Sequence, residues 1–525
     1  MRRMNGGGRT DLRRAAPLLL LLLLAAFLRL GDLGRLPPAH YRDVAITALD
    51  ALRAASGHPC LHYQFDEGLF ANLMGLLFLV AGAGDLTVRL PGAIAGIAGC
   101  FAVVRLGRAL GMPRAGVAGG VLLAVSLWHV ILSRSGFRAV LLPTVLAFAM
   151  TALVAAVRCG GWGRFVAAGA LFGLLVHTYP SARAAPLLLP PYLLAEFGFD
   201  RARWRQAAPG LVLFALLALL VASPMLLHYV HHPEDFNNPN RIVSVFSPGL
   251  APGEANAHLK RNVAATLLMF HVRGDANWRH NISGAPMLDP LTGVLFLGGL
   301  LLAFRMVFGK EIEGAERPRA AAVLLLAWLF GMLLPNLLSV EGVPHGLRSA
   351  GALPAVVLLA GLAVSWIGER AAARRLLPAR AASGLAVGVA LLLAVACGWR
   401  YAVTWGKDPA VFLEHDGALR AAAKALLTAP PGAERFLVAN GSGYRVQGWP
   451  AEAAPYRFEM RSAPPVLLGS KDAARLALSG RTAYVALIAA DSKVIEVIRT
   501  LNPGAPITAI HAPGVEPTSP VYRVN

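Results

Sequence analysis

Apolar runs long enough to cross a bilayer recur from residue 16 to residue 402. Their lengths and separations predict eleven spanning helices, at about 16–31, 90–106, 115–132, 141–157, 164–178, 185–199, 208–230, 290–308, 320–339, 349–367 and 382–402. A further apolar stretch, GLFANLMGLLFLVAGAG over 68–84, is at the short end of the spanning range. Arginine placement arbitrates. If 68–84 lies along the membrane surface, basic residues gather in loops of one side: Arg2, Arg3, Arg9, Arg13 and Arg14; Arg105, Arg108 and Arg114; Arg158 and Arg164; Arg201, Arg203 and Arg205; Arg305, Lys310, Arg317 and Arg319; Arg370, Arg374, Arg375 and Arg380. That side is then cytoplasmic. If 68–84 crossed, the bias would fail at every later loop. The pattern therefore predicts a cytoplasmic N-terminus and a surface segment at 68–84.

On this topology, the first loop (32–89), the SRSGFRA loop, the HTYPSARA loop, the long loop 231–289, the SVEGVPHGLRSA loop and the tail from residue 403 share the outer side. The tail changes character. ERFLVAN, TAYVALIAA and ITAIHAP read as short strands, and GALRAAAKALLTA (417–429) and DSKVIEVIRTL (491–501) as amphipathic helices. The expectation is an α-helical polytopic membrane domain over 1–402, followed by a small extracytoplasmic α/β domain over 403–525. The GSG at 441–443 is too weak a signal for phosphate binding.

Composition agrees. Of 525 residues, 56% are hydrophobic and 15% charged, against about 25% charge in soluble proteins. The net charge of +20 follows from the cytoplasmic loops, so it gives no argument for nucleic acid. The four cysteines, Cys60, Cys100, Cys159 and Cys397, have neither a disulfide framework nor metal spacing. The leucine-rich start lacks a small-x-small cleavage site, so it reads as an uncleaved first span in a multi-pass plasma-membrane protein.

Against this background a few polar residues stand out. Asp43, flanked by Tyr41 and Arg42, follows the first span closely, and a carboxylate beside a bilayer is solvated, paired or working. Helical spacing puts Asp43 and Asp50 near one face. A solvated surface helix with an acid at its start accounts for the spacing equally well; a general base accounts for the place. Arg134 and Arg138 are four apart, hence stacked if helical, at an outer span end where arginine is disfavoured. Bidentate phosphate recognition and snorkelling to lipid headgroups are the two readings. Tyr179 with Arg183, and His345 with Arg348, extend the candidate anion site. His231, His232, His271 and His280 in the long loop fit no standard zinc spacing, so loop structure and substrate contacts are expected ahead of metal. No cofactor is expected, with a divalent metal left open. The NIS and NGS triplets (281–283, 440–442) match a glycosylation pattern at chance level.

The order of these elements resembles the GT-C superfamily of membrane glycosyltransferases, in the branch of protein O-mannosyltransferases and lipid A aminoarabinose transferases. HYRDVAITALDAL, RLPGAIAGIAGCFAVVRLGRALG and SLWHVILSRSGFRAVLLP are similar to its Y-x-D-E-A, RLPSALAG and SPWH…SR-x-GFRA elements. TYPSARAAPLL, FHVRGDANWRHN and LPNLLSVEGVPHGLRSAGALPA look like a bacterial subgroup, and the likeness covers roughly 16–405. The resemblance implies transfer of a sugar from a polyprenyl-phosphate carrier to an acceptor at the outer leaflet, with inversion. Asp43 matches the family's catalytic acid position, and Arg138, Arg134 and Arg348 are candidates for the departing phosphate. Arg42, Tyr179, Arg183 and His345 would complete the substrate site. Glu67 matches an E-P-L-F position, with Gly68 where proline is usual. The second acid of the family's pair is Val44 here, which argues for a metal-independent mechanism. Donor lipid, an unidentified acceptor and membrane lipids are the expected partners. A flippase for a lipid-linked glycan and a non-catalytic assembly subunit stay open.

Overall fold

A computed structural model describes residues 7–64, 66–237, 244–247, 253–309, 318–340, 342–440, 444–469, 472, 475–477, 481–510 and 520–524. The GSG at 441–443 lies outside them. The chain divides into two compact units. One comprises Met1–Leu33, Phe65–Phe70 and Arg89–Trp405; the other comprises Gly34–Gln64, Ala71–Val88 and Gly406–Asn525. Most of the first loop thus groups with the tail from Gly406 in one unit.

The helices are, in order, α1 (Gly7–Leu30), α2 (Arg42–Ala55), α3 (Leu69–Ala81), α4 (Asp85–Ala109), α5 (Pro113–Ala124), α6 (Leu127–Arg134), α7 (Leu141–Cys159), α8 (Trp162–Leu174), α9 (Leu189–Phe197), α10 (Arg201–His231), α11 (Glu254–Leu268), α12 (Pro290–Phe308), α13 (Pro318–Leu337), α14 (Leu353–Ala373) and α15 (Ala379–Trp399). Among the described residues, seven helices are long and apolar enough to cross a membrane, or eight if the bent pair α5–α6 forms one span. Three of the eleven expected spans fall short. The apolar part of α1 is Ala16–Leu30, and the apolar helix at 164–178 is Trp162–His177. Residues 185–199 are split between a 3₁₀ turn, Pro180–Leu188, and α9. Proline explains the split, since Pro186 and the pair Pro190–Pro191 interrupt the hydrogen-bond ladder. The α3 helix has 13 residues, about 20 Å at 1.5 Å per residue, shorter than the ~30 Å hydrocarbon core.

In the helical unit, glycine lets neighbouring helices touch backbone to backbone. A Cβ at Gly119 of α5 would stand 2.9 Å from the Val357 carbonyl oxygen of α14. The same close approach through small residues holds helices together where no water drives their association. The α5–α6 pair is bent by 60°. Ser126 restarts the chain as the α6 N-cap, accepting from the His129 N–H. Carbonyls left at the end of α5 need donors. Arg29 of α1, fully buried, supplies them, reaching the oxygens of Leu123 at 3.1 Å and Ala124 at 3.0 Å. It also donates to the Ala25 carbonyl at 3.3 Å and to His129 Nδ1 at 2.7 Å.

The second unit carries the tail: α16 (Pro409–Glu414), α17 (Gly417–Leu427), α18 (Ala454–Glu459) and α19 (Ser492–Leu501), with strands β1 (Glu434–Ala439), β2 (Arg445–Val446), β3 (Trp449–Pro450), β4 (Val466–Gly469), β5 (Ala483–Leu487), β6 (Ile507–Ile510) and β7 (Val521–Val524). Five strands form a mixed sheet in the order β4-β1-β5-β7-β6. Here β1 runs parallel to β4 and β5, and β7 antiparallel to β5 and β6. Leu419, Leu426 and Tyr456 pack on one face, Val494 and Ile498 on the other. The small α/β domain read from the tail is present, with α17, α19, β1, β5 and β6 where the pattern put them.

Candidate functional site

The expected site residues lie in both units, and each group is described in its own unit. Asp43 occupies the first turn of α2, where its charge suits the helix N-terminus. It is half-buried, with Tyr444 Oη at 3.5 Å from its Oδ1. The preceding residue, Tyr41, offers no side-chain cap. The cap comes from far along the chain: Asp416 Oδ2 accepts the Arg42 backbone N–H at 2.8 Å. The same carboxylate pairs with the Arg42 guanidinium at 3.2 Å, and Glu452 lies 3.4 Å from the other side. Asp416 has φ +57°, a left-handed conformation that costs a non-glycine residue energy. Its side chain makes no cap bond to its own helix α17, so the carboxylate serves α2. Asp50 is buried and accepts from Gln447 Nε2 at 3.0 Å. The two acids expected on one face therefore have different partners, and Arg42, expected to contact substrate, is held by two tail carboxylates.

Arg138 lies just after α6, in a 3₁₀ turn. Asp66 contacts its Nη1 at 2.6 Å and Glu67 its Nε at 3.1 Å. The Tyr179 ring lies under the guanidinium, 5.4 Å from its centroid. Glu67 is 4% exposed and also accepts from Tyr229 Oη at 3.4 Å. Burial pushes the Tyr179 hydroxyl above its ordinary value, against the pull of Arg138 and Arg348. Arg183 lies over the rings of Phe236 and Tyr229, at 4.0 and 5.3 Å, and donates to the Phe236 carbonyl. The Arg348 backbone oxygen accepts from Ser181 at 3.3 Å. Thus Glu67, Arg138 and Tyr179 meet directly, and Arg183 shares Tyr229 with Glu67.

Arg134 does not stack on Arg138 along one helix. The α6 helix ends at Arg134, and Gly136, at φ +79°, turns the chain before Arg138. Arg134 is buried; it donates to the Leu28 carbonyl at 3.0 Å and lies over the Tyr401 ring at 4.7 Å. Its place is inside the helical unit.

His345 belongs to a third group, outside the spanning segments. Asp275 Oδ2 accepts from His280 Nδ1 at 2.8 Å and from the Gly346 N–H at 2.6 Å. The His280 and His345 rings are 4.7 Å apart. Burial would raise the Asp275 carboxyl, but His280 overrides it and holds it below the ordinary range. Burial, with His280 and Arg348 adding to it, holds His345 well below its ordinary value, so it is neutral at pH 7.

Sequence reasoning missed Asp66, Tyr229, Asp275, Asp416, Glu452 and Tyr444. Asp66 had a signal in its adjacency to Glu67. The others act across 160 residues or more of chain, or, for Asp275, through a fold over to residue 346, and carry no local signature.

Residues 69–228 match the family model described as dolichyl-phosphate-mannose-protein mannosyltransferase, under a third of the chain. No curated protein matches the sequence significantly. Among solved structures, the chain is similar to ArnT from Cupriavidus metallidurans bound to undecaprenyl phosphate: 15% identity, TM-score 0.56, covering 97% of this chain and 98% of that one. The apo state of ArnT matches at 16% identity and TM-score 0.56, covering 98% of each chain. The oligosaccharyltransferase AglB from Archaeoglobus fulgidus, in complex with an inhibitory peptide and a dolichol-phosphate, matches at 12% identity and TM-score 0.50, covering 98% of this chain and 76% of that one. Over 97% of its length the chain has the ArnT-like GT-C fold, and residues 69–228 match the mannosyltransferase family model.

Proposed function

We propose that the protein is a glycosyltransferase that takes a sugar from a polyprenyl-phosphate carrier and transfers it, with inversion, to an acceptor at the outer face of the plasma membrane. The observation that supports this most is the set Asp66–Glu67–Arg138–Tyr179 on an ArnT-like fold. Two carboxylates fix one guanidinium at a turn between helices, and a fixed donor array is what stabilises charge developing on a leaving phosphate. The ArnT and AglB structures, one holding undecaprenyl phosphate and the other dolichol-phosphate, support the same donor class.

In this reading Asp43 accepts the proton of the acceptor hydroxyl or amine. The cap from Asp416 and the contact with Tyr444 hold its carboxylate in one orientation. Arg138 stabilises the departing phosphate, with Arg348 and Arg183 as further cations and Tyr179 as the surface that orients the guanidinium. Arg42 becomes a positioning residue, because its guanidinium is held by Asp416 and Glu452. The cytoplasmic N-terminus and the extracytoplasmic tail follow from the arginine distribution.

The test is carrier-dependent transfer. Membranes containing the protein, given labelled polyprenyl-phosphate sugar, are expected to pass label to an acceptor, and the Asp43→Asn variant to insert normally and pass none. Movement of intact labelled carrier between leaflets, without loss of its sugar, would replace transfer by transport.

A further inference from the structure

Asp275, His280 and His345 are five and sixty-five residues apart, a spacing no metal motif describes. The fold nevertheless brings one atom from each, a carboxylate oxygen and two imidazole nitrogens, within 4.8 Å of one another. Asp275 and His280 are 3% and 4% exposed. The group is built from outside as well. The Gly346 N–H holds Asp275 Oδ2 at 2.6 Å and the Asn277 N–H holds Oδ1 at 2.8 Å. The Trp128 indole donates to the Gly346 carbonyl at 3.0 Å, and Asn336 accepts the His345 backbone N–H at 2.9 Å. Backbone and side-chain supports of this kind fix ligand orientation around metal ions.

We propose that Asp275, His280 and His345 bind one zinc-class divalent ion. One carboxylate and two imidazoles match the borderline-soft donor set of zinc, with a fourth position open to water or a ligand. Loading would release to solvent the Nδ1 proton that His280 shares with Asp275, and the carboxylate would keep its place because the two backbone N–H groups hold it. The Phe137 and His280 rings pack edge to face, with centroids 5.6 Å apart, so the group adjoins the residue that precedes Arg138. The proposal does not rest on the transfer reading, since its test measures metal.

Tag-free protein in detergent is dialysed against zinc, passed through a desalting column and assayed for bound metal. The expected result is about one zinc per chain, visible ligand-field bands on cobalt substitution, and a rise in thermal midpoint on adding zinc to chelator-stripped protein. His280→Gln and His345→Gln are expected to lose bound zinc at least tenfold and to show no midpoint shift. His232→Gln, at an exposed histidine outside the group, is expected to keep both. Zinc well below stoichiometric in the wild type, or retained unchanged in His345→Gln, overturns the proposal. If the variants fail to fold, the cobalt titration of wild-type protein decides alone: bands saturating at one equivalent support the site, and their absence refutes it.

Discussion

The cap that Asp416 places on α2 leads to a graded prediction. Removing the carboxylate takes an acceptor from the Arg42 N–H, worth about 1 kcal/mol for a helix cap. It also ends the pair with the Arg42 guanidinium. That side chain is 30% exposed against 10% for Asp416, so the pair contributes about 1 kcal/mol or less after solvent screening. Backbone conformation sets the variants apart. At φ +57° alanine pays about 1 kcal/mol that glycine does not. The wild-type aspartate already pays most of that cost, so Asp416→Ala should cost about 1–2 kcal/mol in the unit that carries it, and Asp416→Gly about 0–1 kcal/mol. Asp416→Asn, which tolerates the left-handed region and keeps an acceptor, should cost less than 1 kcal/mol. Hydrogen exchange of the first-turn amides of α2 reads the cap directly. Exchange should quicken in the glycine and alanine variants alike and stay near wild type in the asparagine variant. If the cap orients Asp43, transfer falls in the glycine variant even though its stability is kept. Unchanged α2 exchange in Asp416→Gly, or full transfer with a frayed first turn, would refute the reasoning.

Arg138→Ala leaves Asp66 and Glu67 facing each other with Glu67 buried, so it should destabilise the helical unit by about 3–5 kcal/mol, measured by thermal unfolding. Arg138→Lys should fold but use the lipid-phosphate donor poorly, read as a rise in donor KM larger than any in acceptor KM. Arg29→Met should take its donor from the Ala124 carbonyl, at about 1–3 kcal/mol, while Leu123 keeps the Ser126 N–H; the readout is a lowered unfolding midpoint, and a midpoint equal to wild type would mean the bent α5–α6 pair stands without Arg29.

Much of the fold was legible because hydrophobic runs are local signals. The α/β tail was legible for the same reason, since TAYVALIAA and DSKVIEVIRTL have clear periods. Two things resisted. The span at 185–199 looked long enough, but proline converts Pro180–Leu188 to a 3₁₀ turn. The stacking of Arg134 on Arg138 assumed a continuous helix, and Gly136 turns the chain between them. The site was half legible. Asp43, Glu67, Arg138 and Tyr179 stand in motifs that resemble a family, but their partners Asp416, Tyr444 and Tyr229 are distant in sequence and ordinary in type. The Asp275–His280–His345 group was hidden because its third member lies on a different loop.

The account turns on a sugar leaving a polyprenyl phosphate with Asp43 as the base. The most direct measurement is single-turnover transfer by detergent-purified protein from labelled polyprenyl-phosphate sugar, wild type beside Asp43→Asn. The predicted result is release of free polyprenyl phosphate in step with glycosylated acceptor for wild type, and a loss of about 10³-fold or more in the variant at unchanged donor binding. Equal rates in the two proteins, or carrier that keeps its sugar in both, would contradict it.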